Sequence, residues 1–205
     1  MTPAHIRQLE RLLQFFPGIG PRQAARFAYA LLDRDPKDVA DLGRLIATLH
    51  ERIGRCSICG RVIELPGKHC AACDKGAHIA RLIVVEKDQD IEAIDRIGLG
   101  SEATHILGGL LFSNKQEAAL KERMKALYDR VHGIATQRNQ ELEIVIALAP
   151  TSEGEATAQY IVRILEPFIK MKKLRISRLA RGLSSGSELE YADSETLKHA
   201  FENRK

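Results

Sequence analysis

Cys56-Ser57-Ile58-Cys59 and, ten residues later, Cys70-Ala71-Ala72-Cys73 contain the only four cysteines of the chain. Two Cys-x-x-Cys pairs joined by a short polar arm form two knuckles whose thiolates can converge on one tetrahedral ion. Soft sulfur donors in that arrangement favour zinc. Four donors fill a tetrahedral site and leave no position for water or substrate, so the site stabilises a fold and performs no chemistry. The competing readings are two disulfides or one redox pair. Disulfide frameworks belong to small secreted chains, and no signal peptide precedes this stretch, so the expectation is a structural Zn2+ held by Cys56, Cys59, Cys70 and Cys73.

Outward from the knuckle the two sides differ. Residues 1–78 carry 12 Lys and Arg against 8 Asp and Glu, whereas residues 79–205 carry 19 of each, so the whole net charge of +4 lies on the N-terminal side. A second basic segment, residues 163–181, holds Arg163, Lys170, Lys172, Lys173, Arg175, Arg178 and Arg181 against Glu166 alone. Either segment suits a phosphate partner. No apolar run approaches the ~20 residues needed to span a bilayer, and no targeting segment is evident; a cytoplasmic protein without membrane contact is expected.

On the N-terminal side, Ile6, Leu9, Leu12, Leu13 and Phe16 follow a helical period, and a second helix is expected from Pro21, which suits the first helical position because its missing N–H has no partner there. Between them Pro17-Gly18-Ile19-Gly20-Pro21 reads as the turn of a helix-hairpin-helix. Backbone N–H groups at Gly18 and Gly20 and a helix N-terminus can reach one phosphate without side chains in the way, a contact that carries no sequence information. Arg22 and Arg26 share one helix face, and no acidic residue occurs from Arg11 to Leu32. A third helix is expected from Pro36 to Ile53, with Val39, Leu42, Leu45, Ile46, Leu49 and Ile53 on its apolar side.

After the knuckle, Ala80–Val85 is a β-branched run of buried parallel-strand type, ending at Glu86. The pattern then alternates. Helices are expected near 88–97, 115–132 and 154–168, strands at 104–107, 143–148 and 174–179, and a last helix capped by Asp193 and running through Phe201. Such alternation implies a mostly parallel sheet covered on both faces. The expected organisation is therefore multidomain α+β: a helix-hairpin-helix region over 1–54, a four-cysteine zinc finger over 55–78, an α/β domain over 79–172, and a C-terminal strand and helix segment over 173–205.

Six motifs recur here in one order: Pro17-Gly18-Ile19-Gly20, the cysteine knuckle, Val84-Val85-Glu86, His105-Ile106-Leu107-Gly108-Gly109, Glu153-Gly154-Glu155-Ala156-Thr157-Ala158 and Ala180-Arg181-Gly182. With Leu189-Glu190-Tyr191-Ala192-Asp193 the series resembles the bacterial RecR family of recombination mediators over nearly the whole chain. The resemblance implies that the α/β part is a topoisomerase-primase (Toprim) domain and that the C-terminal segment helps build a homo-oligomer, a tetrameric ring able to encircle DNA. It further implies sequence-independent binding of single- and double-stranded DNA, and work with RecO and RecF partners in loading recombinase onto single-stranded DNA. Arg22 and Arg26 fall where the family places its DNA-contacting basic residues. The chain departs from the family pattern in Phe15-Phe16, where an aliphatic leucine is more usual, and in the stretch from Leu110 to Leu120, which lacks a Gly-Pro-rich loop.

Three function classes compete: a non-enzymatic DNA-binding mediator, a metal-dependent Toprim nuclease or topoisomerase-like enzyme, and a zinc scaffold that assembles partners without touching DNA. An active Toprim domain resembles this one in placing a glutamate after its first strand, here Glu86, but it also carries an Asp-x-Asp pair where this chain has Ala149 and Thr151. Magnesium would find no paired carboxylates there, so no catalytic residue is assigned. His105 reads as a hydrogen-bonded structural histidine. Gly182–Gly186 lacks the Lys-Ser or Lys-Thr of a nucleotide-binding loop, which argues against ATP hydrolysis. The mediator is the reading adopted.

Overall fold

The computed structural model describes residues 2–74, 79–99, 102–113, 117–137, 142–179, 190 and 194–202. The chain divides into two compact units, Met1–Ile53 and Gly54–Lys205.

The first unit is helical: α1 (Ala4–Leu13), α2 (Pro21–Leu32) and α3 (Pro36–Arg52). Helices α1 and α2 form a hairpin in which Ala24 and Ala28 are fully buried and Ile6 nearly so, the small α2 residues letting the helices approach closely. Helix α3 opens with Pro36 at its first position, and the Asp35 carboxylate accepts the Lys37 N–H at 2.8 Å as its cap. The apolar side expected along α3 is left uncovered among the described residues. No α3 residue is buried, and Leu42, Leu45, Ile46 and Leu49 are 45–69% exposed. The hydrophobic period locates an apolar face correctly, but it carries no information about what covers that face.

The second unit begins with the knuckle, where β1 (Ile53–Arg55) and β2 (Val62–Glu64) pair and α4 (Ala71–Asp74) carries the last cysteine. A four-stranded, all-parallel sheet follows in the order β4-β3-β5-β6, with β3 (Arg81–Val85), β4 (Ala103–Ile106), β5 (Leu142–Ala147) and β6 (Leu174–Arg178). Residues on one face of β3 and β5, among them Leu82, Val84, Ile144 and Ile146, pack with Leu127 and Val131 of α6 (Glu117–Gln137) and Ile161 and Leu165 of α7 (Ser152–Lys170). On the other face Ile83, Val85 and Ile106 meet Ile91 of α5 (Asp88–Arg96). β5 alternates buried and half-buried residues along its whole length, the period-2 signature of such a sheet.

Glu143 ties three strands together. It stands in register with Arg81 on β3 and Arg175 on β6, accepts from Arg81 Nε at 2.9 Å and from Ser177 Oγ at 2.9 Å, and pairs with Arg175 at 3.0 Å. The hydrogen bond from Arg81, ahead of that from Ser177, holds its carboxyl below the usual range. β6 is bonded into this sheet, which therefore runs on past residue 172. A final helix, α8, spans Ser194–Glu202; its expected cap, Asp193, lies outside the described residues. Among the described residues no helix is long and apolar enough to cross a membrane.

Candidate nucleic-acid interface and metal centre

The hairpin between α1 and α2 is built on a tight turn. The Ile19 N–H donates to the Phe16 carbonyl at 3.2 Å, with Pro17 and Gly18 between them and Gly18 at φ 80°. This is a type II turn, whose third residue needs a positive φ, so Gly18 is required for its backbone and not for space. Gly20 is the N-cap of α2 with an extended backbone, and Pro21 follows at the first helical position. The amides of Gly18, Gly20, Arg22 and Gln23 find no intramolecular backbone acceptor among the described residues. They form a cluster of open donors at the positive end of the helix dipole. Arg22 and Arg26 are exposed and make no hydrogen bond or ion pair among the described residues. The arrangement can hold one phosphate on backbone donors and present two free guanidinium groups to its neighbours.

The second basic segment differs. Lys170 pairs with Glu166 at 2.8 Å, Arg175 with Glu143 at 3.0 Å and Arg178 with Glu155 at 2.8 Å, while Arg181 lies outside the described residues. Three of its seven basic residues are thus met by carboxylates of β5 and α7. Arg22 and Arg26 on the hairpin meet no such carboxylate among the described residues.

In the knuckle, Cys56 and Cys59 are buried, Cys70 is at the edge of burial, Cys73 is half-buried, and one donor atom from each lies within 4.8 Å of the other three. Cys59 and Cys70 Sγ are 3.6 Å apart. A tetrahedron of metal–sulfur bonds of about 2.3 Å has edges of about 3.8 Å, so the four thiols fit a metal ion. The hydrogen bond from Cys73 pulls the Cys59 thiol down to about 5, while that bond and burial raise Cys73 and burial raises Cys70. One thiolate forms readily and further ones are resisted while the sulfurs face each other alone, so a cation entering the site would release protons. Arg130 stands beside it, with Nη2 3.9 Å from Cys73 Sγ and Nη1 donating to the Thr104 carbonyl at 2.7 Å.

The knuckle is fastened to the open edge of the sheet. Cys59 accepts the Ile106 N–H from β4 at 2.8 Å, Arg61 donates to Thr104 Oγ1 at 3.2 Å, and Asp88 takes both Arg55 at 2.9 Å and the Val62 N–H at 3.2 Å. An edge strand that would otherwise offer unpaired backbone is thereby covered. Sequence reasoning missed this docking and the role of Arg130; a four-cysteine spacing gives the ligands and not the surface they rest on. His105, on the same strand, is fully buried and bonded through Nε2 to the Arg123 carbonyl at 3.0 Å. Burial, the largest effect, lowers its pKa to about 4, so the ring is neutral and Nε2–H is the donor.

Glu86, half-buried at the carboxyl end of β3, lines a cavity of about 310 Å³ with Asp90, Ala147 and Ala149. Ala149 brings no oxygen on its side chain. Thr151 spends its hydroxyl as the cap of α7, accepting the Gly154 N–H at 3.1 Å. A Cβ on Gly154 would collide with the Ala149 carbonyl, so close approach at this turn demands glycine. Glu155 is committed to Arg178 at 2.8 Å.

Comparison with known proteins gives matches along the chain. A family model described as "RecR, helix-hairpin-helix" matches residues 6–50, "Toprim domain" matches 80–180, and "RecR, C-terminal" matches 182–205. Among curated relatives called "Recombination protein RecR", that of Treponema pallidum (strain Nichols) is 38% identical over 206 residues, covering 100% of this chain and 96% of the relative. That of Paenarthrobacter aurescens (strain TC1) is 36% identical over 206 residues, covering 100% and 98%. That of Dehalococcoides mccartyi (strain ATCC BAA-2266 / KCTC 15142 / 195) is 34% identical over 204 residues, covering 99% and 95%.

Proposed function

This chain belongs to the RecR family of recombination proteins, and from that premise we propose that it is a non-enzymatic mediator which grips DNA through the α1–α2 hairpin. The observation that carries the reading is the pairing of open turn amides at Gly18 and Gly20 with two unpaired, exposed arginines, Arg22 and Arg26, on the helix that follows. Contacts of this type are to the sugar-phosphate backbone, so binding is independent of sequence and open to single- and double-stranded DNA. Zinc is the ion for the knuckle, because an all-thiolate, closed donor set suits a soft tetrahedral dication and leaves no site for catalysis.

The exposed apolar stripe of α3 supports self-association, and a ring of copies, tetrameric by the family's pattern, would multiply weak phosphate contacts through effective concentration. The remaining parts of the reading are RecO and RecF as partners in loading recombinase, which rest on the family alone, and the cytoplasm as its place, which rests on the sequence. The domain limits 1–54, 55–78, 79–172 and 173–205 are proposed from the sequence pattern, with β6 of the last segment bonded into the sheet of the third.

The test is DNA affinity as a function of salt. Arg22→Ala/Arg26→Ala should weaken binding and flatten log affinity against log salt by about two units, one for each phosphate no longer neutralised. An unchanged slope would move the DNA surface off the hairpin.

A further inference from the structure

Phe15 and Phe16 stand immediately before the turn, 80% and 55% exposed. Their backbones are fixed: the Phe15 N–H donates to Leu12 at 3.1 Å, the Phe16 N–H to Leu13 at 3.3 Å, and the Phe16 carbonyl closes the turn on Ile19. Two aromatic rings are therefore held out on a rigid backbone beside the phosphate-sized cluster of donors. Phe16 is the first residue of the turn that presents Gly18, and a closed turn keeps its first and fourth residues within about 7 Å. The stretch of sequence that carries them holds charge of one sign. Arg11, Arg22 and Arg26 are all exposed, and the stretch from Arg11 to Leu32 holds no carboxylate.

We propose that Phe15 and Phe16 form a stacking platform for unpaired nucleobases, so that the hairpin holds a single strand by base and phosphate together. The inference rests on the backbone-binding reading above and adds to it a preference for strands whose bases are free. Every base has a π-face, and an aromatic ring accepts it without regard to sequence. A duplex keeps those faces stacked inside and offers the rings nothing. A second copy of this chain is the poorer occupant, since covering one such patch with another would press unpaired arginines together, whereas a nucleic-acid strand supplies apolar faces and negative charge at once.

The experiment compares the wild-type protein with Phe15→Leu/Phe16→Leu and Arg22→Ala/Arg26→Ala. Its probes are an oligothymidylate of about 20 nucleotides, a single strand carrying 2-aminopurine, and a duplex of equal length. Leucine keeps the site apolar and removes the ring face. The expected result is roughly tenfold weaker single-strand binding per ring that stacks, lost quenching of 2-aminopurine, duplex affinity within about twofold, and an unchanged salt slope. Intact quenching and affinity in the leucine variant would overturn the platform, and so would an equal loss on single strand and duplex. A change of oligomeric mass on light scattering in that variant would overturn it too, by assigning the rings to contact between copies. Failure here with a flattened slope in the arginine variant would leave the backbone reading standing, whereas failure of both variants to alter binding would remove the hairpin from the DNA surface altogether.

Discussion

The Ile106 N–H on the outer edge of β4 donates to the carbonyl of Cys59 at 2.8 Å, while the next amide, Leu107, donates inward to Val85 at 2.9 Å. Adjacent amides thus report on different things, one on the knuckle and one on the sheet. Metal binding in a small cysteine knuckle is part of its folding free energy. Chelation or Cys59→Ser should therefore speed hydrogen exchange at Ile106 by orders of magnitude and leave Leu107 protected. Metal analysis of the untreated protein should give one zinc per chain. Equal protection at both amides after metal removal would mean that packing holds the knuckle unaided.

Protonation of His105 should tie stability to pH. Its folded pKa of about 4 lies below the ~6.5 of an unfolded histidine, so the unfolded chain binds the proton first. The stability gained from keeping the ring neutral is complete above about pH 6.5, falls as pH drops, and is gone by about pH 4. The loss is on the order of 3 kcal/mol over that window. His105→Gln keeps an amide N–H for the Arg123 carbonyl and removes the titration. Urea unfolding at several pH values should show the variant's stability curve flatter by close to one proton, and parallel curves would refute the assignment.

Much of this was legible because local chemistry fixed it. The β-branched run Leu82–Val85 could only be a buried strand, and Pro17-Gly18 followed by Gly20-Pro21 could only turn and restart a helix. What was not legible depended on distant partners. Arg175 and Arg178 read as free charge until the sheet brought Glu143 and the α7 start brought Glu155 beside them. The three-residue strands β1 and β2 are too short to show a period. Helix α6 runs on to Gln137, past the expected end near His132, with Gly133 taken into the helix.

Helix α3 gives the check on assembly. Leu45 is 69% exposed in the middle of an apolar stripe, and a contiguous apolar face of this kind is normally covered. Light scattering at micromolar concentration should give a mass several times the 22.8 kDa of one chain, and Leu45→Glu should lower it, since burying an unpaired carboxylate costs several kcal/mol. The isolated hairpin surface is untouched by this change, so the salt slope per bound chain should persist while apparent affinity falls. A wild-type protein that stays monomeric with and without DNA would end the ring proposal.

The final expectation concerns the carboxyl ends of β3 and β5, where an active Toprim domain would gather magnesium. Glu86 shares its cavity with the methyl group of Ala149, and the Thr151 hydroxyl is taken by the Gly154 amide. One carboxylate of this kind binds a hydrated divalent ion poorly, because magnesium gives up its water reluctantly and needs two or more anionic oxygens or a substrate phosphate to hold it. Asp90 lines the same cavity, yet its Oδ2 accepts the Lys87 N–H at 3.0 Å as part of the α5 cap, which draws it toward the helix end. Glu155, the other carboxylate of the neighbouring turn, is held by Arg178. Incubation with supercoiled or single-stranded DNA in magnesium or manganese should therefore leave the DNA intact, and Glu86→Gln should bind DNA as the wild type does. Nicking or relaxation that disappears in Glu86→Gln would place the chemistry at this cavity and make the protein an enzyme.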